Sequence, residues 1–103
     1  MFVMITMEAP LDKAPEMTKV FLKLVQGKKS PHLKNRGVYG THGDTGYKWY
    51  NIVEVDDANL EKGFIDMMKN LVPFDDIEGY KVKMELLMKA RDAATVMMEA
   101  GKV

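Results

Sequence analysis

Cysteine is absent from the sequence, serine occurs only at Ser30, and histidine occurs only at His32 and His42. The chain therefore has no disulfide, no thiolate nucleophile and no cysteine-ligated metal site, and its histidines are too few for a typical zinc site. Ser30 does not stand in the sequence context of a catalytic nucleophile. The ten methionines follow helical and strand spacings, which is typical of core packing rather than of copper ligation. We predict no metal and no cofactor.

Net charge is also absent, because 15 basic residues balance 15 acidic ones. Nothing in the overall charge attracts nucleic acid or an anionic membrane, so we disfavour both as partners. No apolar run approaches the roughly 20 residues that span a bilayer, and Met1 to Met7 lacks the basic prelude of a signal peptide. We expect a cytoplasmic protein whose 103 residues form one domain, 1–103.

The first part of the chain predicts a strand followed by a helix. The stretch from Phe2 to Met7 is rich in β-formers and too short for a helix. Asp12 can cap the helix, Pro15 suits its first turn, and Gly27 can end it. The apolar stripe of this helix comprises Met17, Val20, Phe21, Leu24 and Val25.

The middle of the chain predicts a β-hairpin over residues 37–57. Its turn is Gly43-Asp44-Thr45-Gly46, and its second strand is Tyr47 to Val55. Asp56, Asp57 and Asn59 then offer caps for a second helix that Pro73 ends. The stripe of the second helix comprises Leu60, Phe64, Met67, Met68 and Leu71.

The end of the chain predicts an edge strand and a last helix. Apolar and charged residues alternate from Tyr80 to Met88, which is typical of a half-buried strand. An alanine-rich helix follows from Ala90 to Ala100, within an appended segment at 89–103.

The first six elements have the order βαββαβ, which predicts an α+β fold of ferredoxin-like type. Right-handed crossovers place both main helices on one face of a four-stranded antiparallel sheet, with the first and third strands at its centre. The other face is left open, yet Phe2 and Met4 point to it from the first strand, and Tyr50 and Ile52 point to it from the third. Either the last helix or a second subunit must cover it, and we predict a homodimer.

Two segments resemble a known family. Gly37-Val38-Tyr39-Gly40-Thr41-His42, followed by a strand that ends in Val53-Glu54-Val55-Asp56-Asp57, is similar to an uncharacterised family of dimeric α+β-barrel proteins of about this length. The resemblance covers nearly the whole chain in element order, and the specific residues lie in the hairpin. It implies the fold and the dimer, and it implies no established activity.

The candidates for a catalytic site are His42 and Glu54, and Tyr39 and Tyr50 complete a candidate ligand-binding set. His42 could transfer a proton, or it could bond only to the local backbone. Glu54 could be a general base whose pKa is raised by desolvation, or it could pair with a lysine or arginine across the dimer. The two residues lie too far apart along the hairpin to meet within one subunit, so a shared site requires the partner.

A basic cluster over Lys28–Arg36 has two interpretations as well. It could bind phosphate, or it could stabilise the carboxyl end of the first helix.

Two functions remain open at this point. The first is a non-enzymatic dimeric module that binds a small molecule or a partner protein. The alternative is a small cofactor-free enzyme, of oxygenase or isomerase type, with its site in the dimer barrel.

Overall fold

The chain forms four strands and three helices, and the computed structural model describes residues 1–44 and 46–103. The strands are β1 (Phe2–Ala9), β2 (Leu33–Gly43), β3 (Gly46–Val55) and β4 (Lys81–Leu87), and the helices are α1 (Ala14–Gln26), α2 (Leu60–Leu71) and α3 (Ala90–Glu99). The predicted hairpin turn includes Thr45, which lies outside the described residues. The predicted α+β class and the additional last helix are confirmed.

All strand pairs are antiparallel, and the strand order in the sheet is β2-β3-β1-β4. The first and third strands therefore form the centre, as predicted, and β4 lies at an edge. The prediction that this strand is half-buried is wrong, because all of its residues are exposed in the single chain. This arrangement is consistent with the ferredoxin-like order of elements.

The strand β2 begins at Leu33, so the predicted start of the hairpin at residue 37 is wrong by four residues. Leu33 packs against the core, and a bulge between Asn35 and Gly37 lets the polar residues that follow remain in the strand. Gly37 has φ of 147°, which favours glycine, and its N–H donates to Asn35 Oδ1 at 2.9 Å.

The core lies between the helices and one face of the sheet. Every second residue of β1 belongs to this core. Met17 of α1 and Met67 of α2 belong to the same buried cluster. Both main helices therefore cover the same face, as predicted. The cluster consists of Val3, Ile5, Met7, Ala9, Met17, Val53, Val55, Met67, Leu71, Phe74 and Ile77. We call this side of the sheet the helix face and the other side the open face.

The helix ends predicted from the sequence are confirmed in part. Pro15 lies in the first turn of α1 and Gly27 follows its last residue, as predicted. Asp12 is not a cap, because it lies inside a short 3-10 turn, Leu11–Lys13, whose backbone closes with Lys13 N–H donating to Pro10 O at 2.9 Å. Within α2, Gly63 is required by close approach, since a Cβ there would clash with Val55 of β3.

The last helix, α3, does not cover the open face, because every one of its residues is exposed. The radius of gyration is 15.9 Å, against roughly 13 Å for a compact chain of this length. The chain is thus elongated, and α3 contributes little to its core. Among the described helices, none combines the length and apolar character needed to cross a bilayer.

Candidate functional site

The predicted residues Tyr39, Tyr50 and Glu54 lie together on the open face. Tyr39 of β2 is directly opposite Tyr50 of β3, and Glu54 is opposite Phe2 of β1. Paired residues in an antiparallel ladder point to the same side of the sheet. Tyr39 is 64% exposed, so this surface is largely uncovered in a single chain.

His42 lies on the other side of the sheet. It is opposite Tyr47, which pairs in turn with the buried Ala9 on the helix face. The His42 ring is exposed, and its centroid lies 4.9 Å from that of Tyr47. With Tyr47 and Trp49 it borders a shallow depression beside the hairpin tip. Within one chain, His42 and Glu54 are separated both along the hairpin and by the sheet itself.

Glu54 forms an ion pair within its own chain. The Nε of Arg36 donates to Glu54 Oε1 at 2.9 Å, and a second guanidinium nitrogen contacts the same oxygen. This hydrogen bonding to Arg36 lowers the pKa of Glu54 from its ordinary value. The expectation of a raised pKa is therefore wrong, because the guanidinium outweighs the desolvation. An arginine pairs with Glu54, as one interpretation predicted, but it does so without a second subunit.

The open face has a small apolar patch on its central strands, with charged residues at both ends and along β4, where Glu85 lies opposite Met4. Met4 and Ile52 lie opposite each other on the central strands. Beyond them, Lys48 Nζ lies 3.5 Å from Glu8 Oε1 and 5.4 Å from the centroid of the Tyr50 ring. An apolar centre with a polar rim is the usual composition of a protein–protein interface.

The predicted basic cluster is divided between the two sides of the sheet. Lys34 pairs with Glu54 in register on the open face, where Arg36 also binds Glu54. Lys28 and Lys29 instead border the helix face. Lys29 Nζ donates to Val25 O at 2.9 Å, so this lysine stabilises the end of α1 as one interpretation held.

A cavity of about 230 Å³ lies between the two main helices and the sheet. Its walls are mainly apolar and come from both main helices and from β1, β2 and β3. They include Ile5 and Met7 of β1, Phe21 and Leu24 of α1, and Met67 and Leu71 of α2. Mainly apolar walls with a few polar groups are typical of small-molecule sites.

Two asparagines line this cavity and differ in their bonding. Asn35 Oδ1 accepts from the N–H of Gly37 at 2.9 Å. Asn51 Oδ1 is buried and has no hydrogen-bond partner among the described residues. A buried carbonyl oxygen without a partner is destabilising by roughly 1–3 kcal/mol, so its presence calls for an explanation.

Three lysines from one segment, the end of α1 and the loop after it, are among the residues that line the cavity. They are Lys23 near the end of α1 and Lys28 and Lys29 in the loop. The loop is fastened to α2, because Ser30 Oγ donates to Asp66 Oδ2 at 2.6 Å. Ser30 Oγ also accepts from the N–H of His32 at 3.1 Å, which fixes the direction of the chain into β2.

Sequence reasoning did not identify this cavity. One signal was present, since Asn51 interrupts the apolar alternation of Trp49 and Val53 on the buried side of β3. Of the described residues, no group of three or more His, Cys, Asp or Glu is arranged to hold a metal ion.

Comparison with known proteins adds little. No family model matches the sequence, and no curated protein is similar to it. One solved structure, a de novo designed protein called Foldit4, matches 84% of this chain and 97% of its own length, with 10% identity and a TM-score of 0.49.

Proposed function

We propose that this protein is a non-enzymatic homodimeric module that binds a small molecule in the cavity between α1, α2 and the sheet. The observation that carries the proposal is the apolar cavity with Asn51 in its wall, whose buried Oδ1 lacks a partner. A bound molecule that completes this hydrogen bond would account for a polar group that otherwise destabilises the fold.

The dimer is part of the proposal, and the open face is its interface. Two copies that pack their sheets together would bury Met4 and Ile52, and the ion pairs Glu8–Lys48 and Arg36–Glu54 would lie at the rim. Burial of a large apolar side chain contributes about 1.5–3 kcal/mol. The result would be a ferredoxin-like, dimeric α+β barrel of the kind that the hairpin sequence resembles.

The enzyme alternative has less support. Its two candidate groups, His42 and Glu54, point to opposite sides of the sheet in one chain. Glu54 is also held in its charged form by Arg36, which makes it a weak base.

Titration with small probes tests the binding function. The probes are p-cresol, 4-hydroxyphenylacetate, 4-hydroxyphenylacetamide and tyramine, followed by amide chemical shifts. We expect at least one to bind saturably and to move the signals of cavity residues. A ligand at a hundred times its dissociation constant adds about 2.7 kcal/mol of stability, so thermal denaturation gives a second measurement.

A variant that obstructs the cavity provides the control. Asn70 is exposed and lines the cavity, so Asn70→Trp should block binding without disturbing the core. The neighbouring Lys69 is also exposed but does not line the cavity, and Lys69→Trp should bind as the parent does. If none of the four probes binds saturably, the proposed function is contradicted.

A further inference from the structure

We propose that the natural ligand of the cavity is a small organic carboxylate with an apolar body and a hydroxyl group. This inference rests on the proposed function and names the chemical class that the site would take. Three features of the cavity argue for the three parts of such a molecule.

The walls and the volume of the cavity indicate a ligand with a compact apolar body. The deep part of the cavity is formed by Ile5, Met7, Phe21 and Met67, which offer contact area but no hydrogen bonds. A volume of about 230 Å³ lies below the range of roughly 300–1,000 Å³ that is usual for drug-sized ligands. The site therefore suits a compact metabolite and excludes a nucleotide or a long acyl chain.

The carboxylate follows from the charges at one end of the cavity. Lys23, Lys28 and Lys29 line this end, and no acidic residue of the described chain lines the cavity anywhere. Lys29 is held in place by its bonds to the end of α1, which leaves its remaining donor available to a ligand. A carboxylate at this end of the cavity would be attracted by the lysine charges, while an amine would be repelled by them.

The hydroxyl group follows from Asn51. This residue comes from the middle of β3, so it lies among the apolar walls and away from the lysine-lined end. A hydroxyl can donate to Oδ1 and can also accept from the amide nitrogen, so it satisfies Asn51 in either orientation of its amide. A ligand with a carboxylate at one end and a hydroxyl at the other spans both polar features.

Four probes of similar shape test the charge and the hydroxyl separately. The first three are 4-hydroxyphenylacetate, its neutral amide 4-hydroxyphenylacetamide and the cation tyramine, and the fourth is phenylacetate, which lacks the hydroxyl. We expect 4-hydroxyphenylacetate to bind about fivefold or more tightly than the amide, and tyramine to bind most weakly. Phenylacetate should bind more weakly than its hydroxylated form.

Matched variants assign these preferences to residues. Lys28→Gln should weaken binding of the carboxylate about two- to fivefold and leave binding of the amide unchanged. Lys19 lies on α1, is exposed and does not line the cavity, so Lys19→Gln should change neither. Asn51→Leu should remove the advantage of 4-hydroxyphenylacetate over phenylacetate, and its melting temperature verifies that it folds.

The outcomes separate this inference from the function on which it rests. If the amide or tyramine binds as tightly as the carboxylate, the ligand class is wrong and the binding module stands. If the hydroxyl makes no difference, the role given to Asn51 is wrong. If neither these probes nor p-cresol binds, the proposed function itself fails.

Discussion

Asn51 of β3 lies directly opposite Ile5 of β1, so an amide shares the helix face with one of the most deeply buried side chains of the protein. We predict that Asn51→Leu stabilises the unliganded protein by about 1–3 kcal/mol, because it removes a buried acceptor that has no partner and keeps a similar volume. Urea denaturation measures this change.

Asn35 provides the matched control for that substitution. It lines the same cavity, but its Oδ1 already accepts a hydrogen bond from Gly37. Asn35→Leu should therefore lower the free energy of unfolding, since it leaves the Gly37 N–H without its partner at the bulge. A fall in stability for both variants would contradict our description of Asn51.

The ion pair on the open face leads to a prediction about pH. The pKa of Glu54 is lowered mainly by the hydrogen bonds from Arg36, and Lys34 adds a weaker effect through space. Because the pKa is lowered in the folded chain, the stabilisation is present above the ordinary carboxyl pKa and is lost as the pH falls through the folded value. Arg36→Gln should raise the pKa of Glu54, as a carboxyl-carbon NMR titration would detect.

Lys34→Gln is the comparison for this titration. Its effect on the pKa of Glu54 should have the same direction and be smaller, because Lys34 makes no hydrogen bond to the carboxylate. An equal effect of the two substitutions would mean that general charge, rather than the Arg36 contact, lowers the pKa.

Because the hydroxyl of Tyr80 is buried, we predict that the protein loses stability at high pH. This hydroxyl has no partner among the described residues, and burial, helped by the charge of Asp75, raises the pKa of Tyr80 to about 12. Between about pH 10 and 12 the unfolded chain loses this proton more readily than the folded chain, so stability falls as the pH rises.

Tyr80→Phe should remove this dependence. Phenylalanine keeps the stacking on Phe74, whose ring centroid lies 5.7 Å away, and it has no proton to lose. We expect the variant to be at least as stable as the parent at neutral pH and to lose less stability in alkaline urea titrations. The same alkaline loss in both proteins would show that other groups cause it.

If the proposed homodimer forms, its mass in solution should be about twice 11.7 kDa. Ile52→Lys places a charge on the open face between Met4 and Gly37, where no carboxylate lies opposite it, and should yield monomers because the interface would bury an unpaired ammonium group. Light scattering after size-exclusion chromatography gives the mass.

Ile65→Lys provides the control for this substitution. Ile65 lies on α2, away from the open face, and is 48% exposed, so this variant should remain dimeric. A monomeric parent at micromolar concentration would overturn the proposed interface.

Much of the fold can be predicted from the sequence because the apolar periods are regular. The stripes of α1 and α2 and the alternation in β4 predict the element order, and two right-handed crossovers then place β1 and β3 at the centre. The ends of elements are harder. The bulge at Asn35–Gly37 lets β2 begin at Leu33, although the residues before Gly37 are mostly polar and are typical of a loop.

The candidate site could be predicted only in part. Tyr50 and Glu54 fall on one face because strand parity decides it, and the same rule places His42 on the face opposite to that of Tyr39. That Tyr39 shares a face with Tyr50 depends on the register that the hairpin turn imposes. The cavity depends on how far α1 and α2 stand apart over the sheet, which no local pattern encodes. Only the polar Asn51 between apolar neighbours hints at it.

The central position of β1 has a consequence for the order of events during synthesis. The strand β1 leaves the ribosome before both of its partners, β3 and β4, and it never pairs with β2, the next strand along the chain. The apolar residues of β1 therefore have no neighbouring strand until β3 has been synthesised as far as Val55. The second neighbour, β4, is complete only after Leu87. At roughly 5–20 residues per second this interval lasts some seconds. We expect ribosome-bound chains that end before β4 to recruit chaperones more strongly than longer ones.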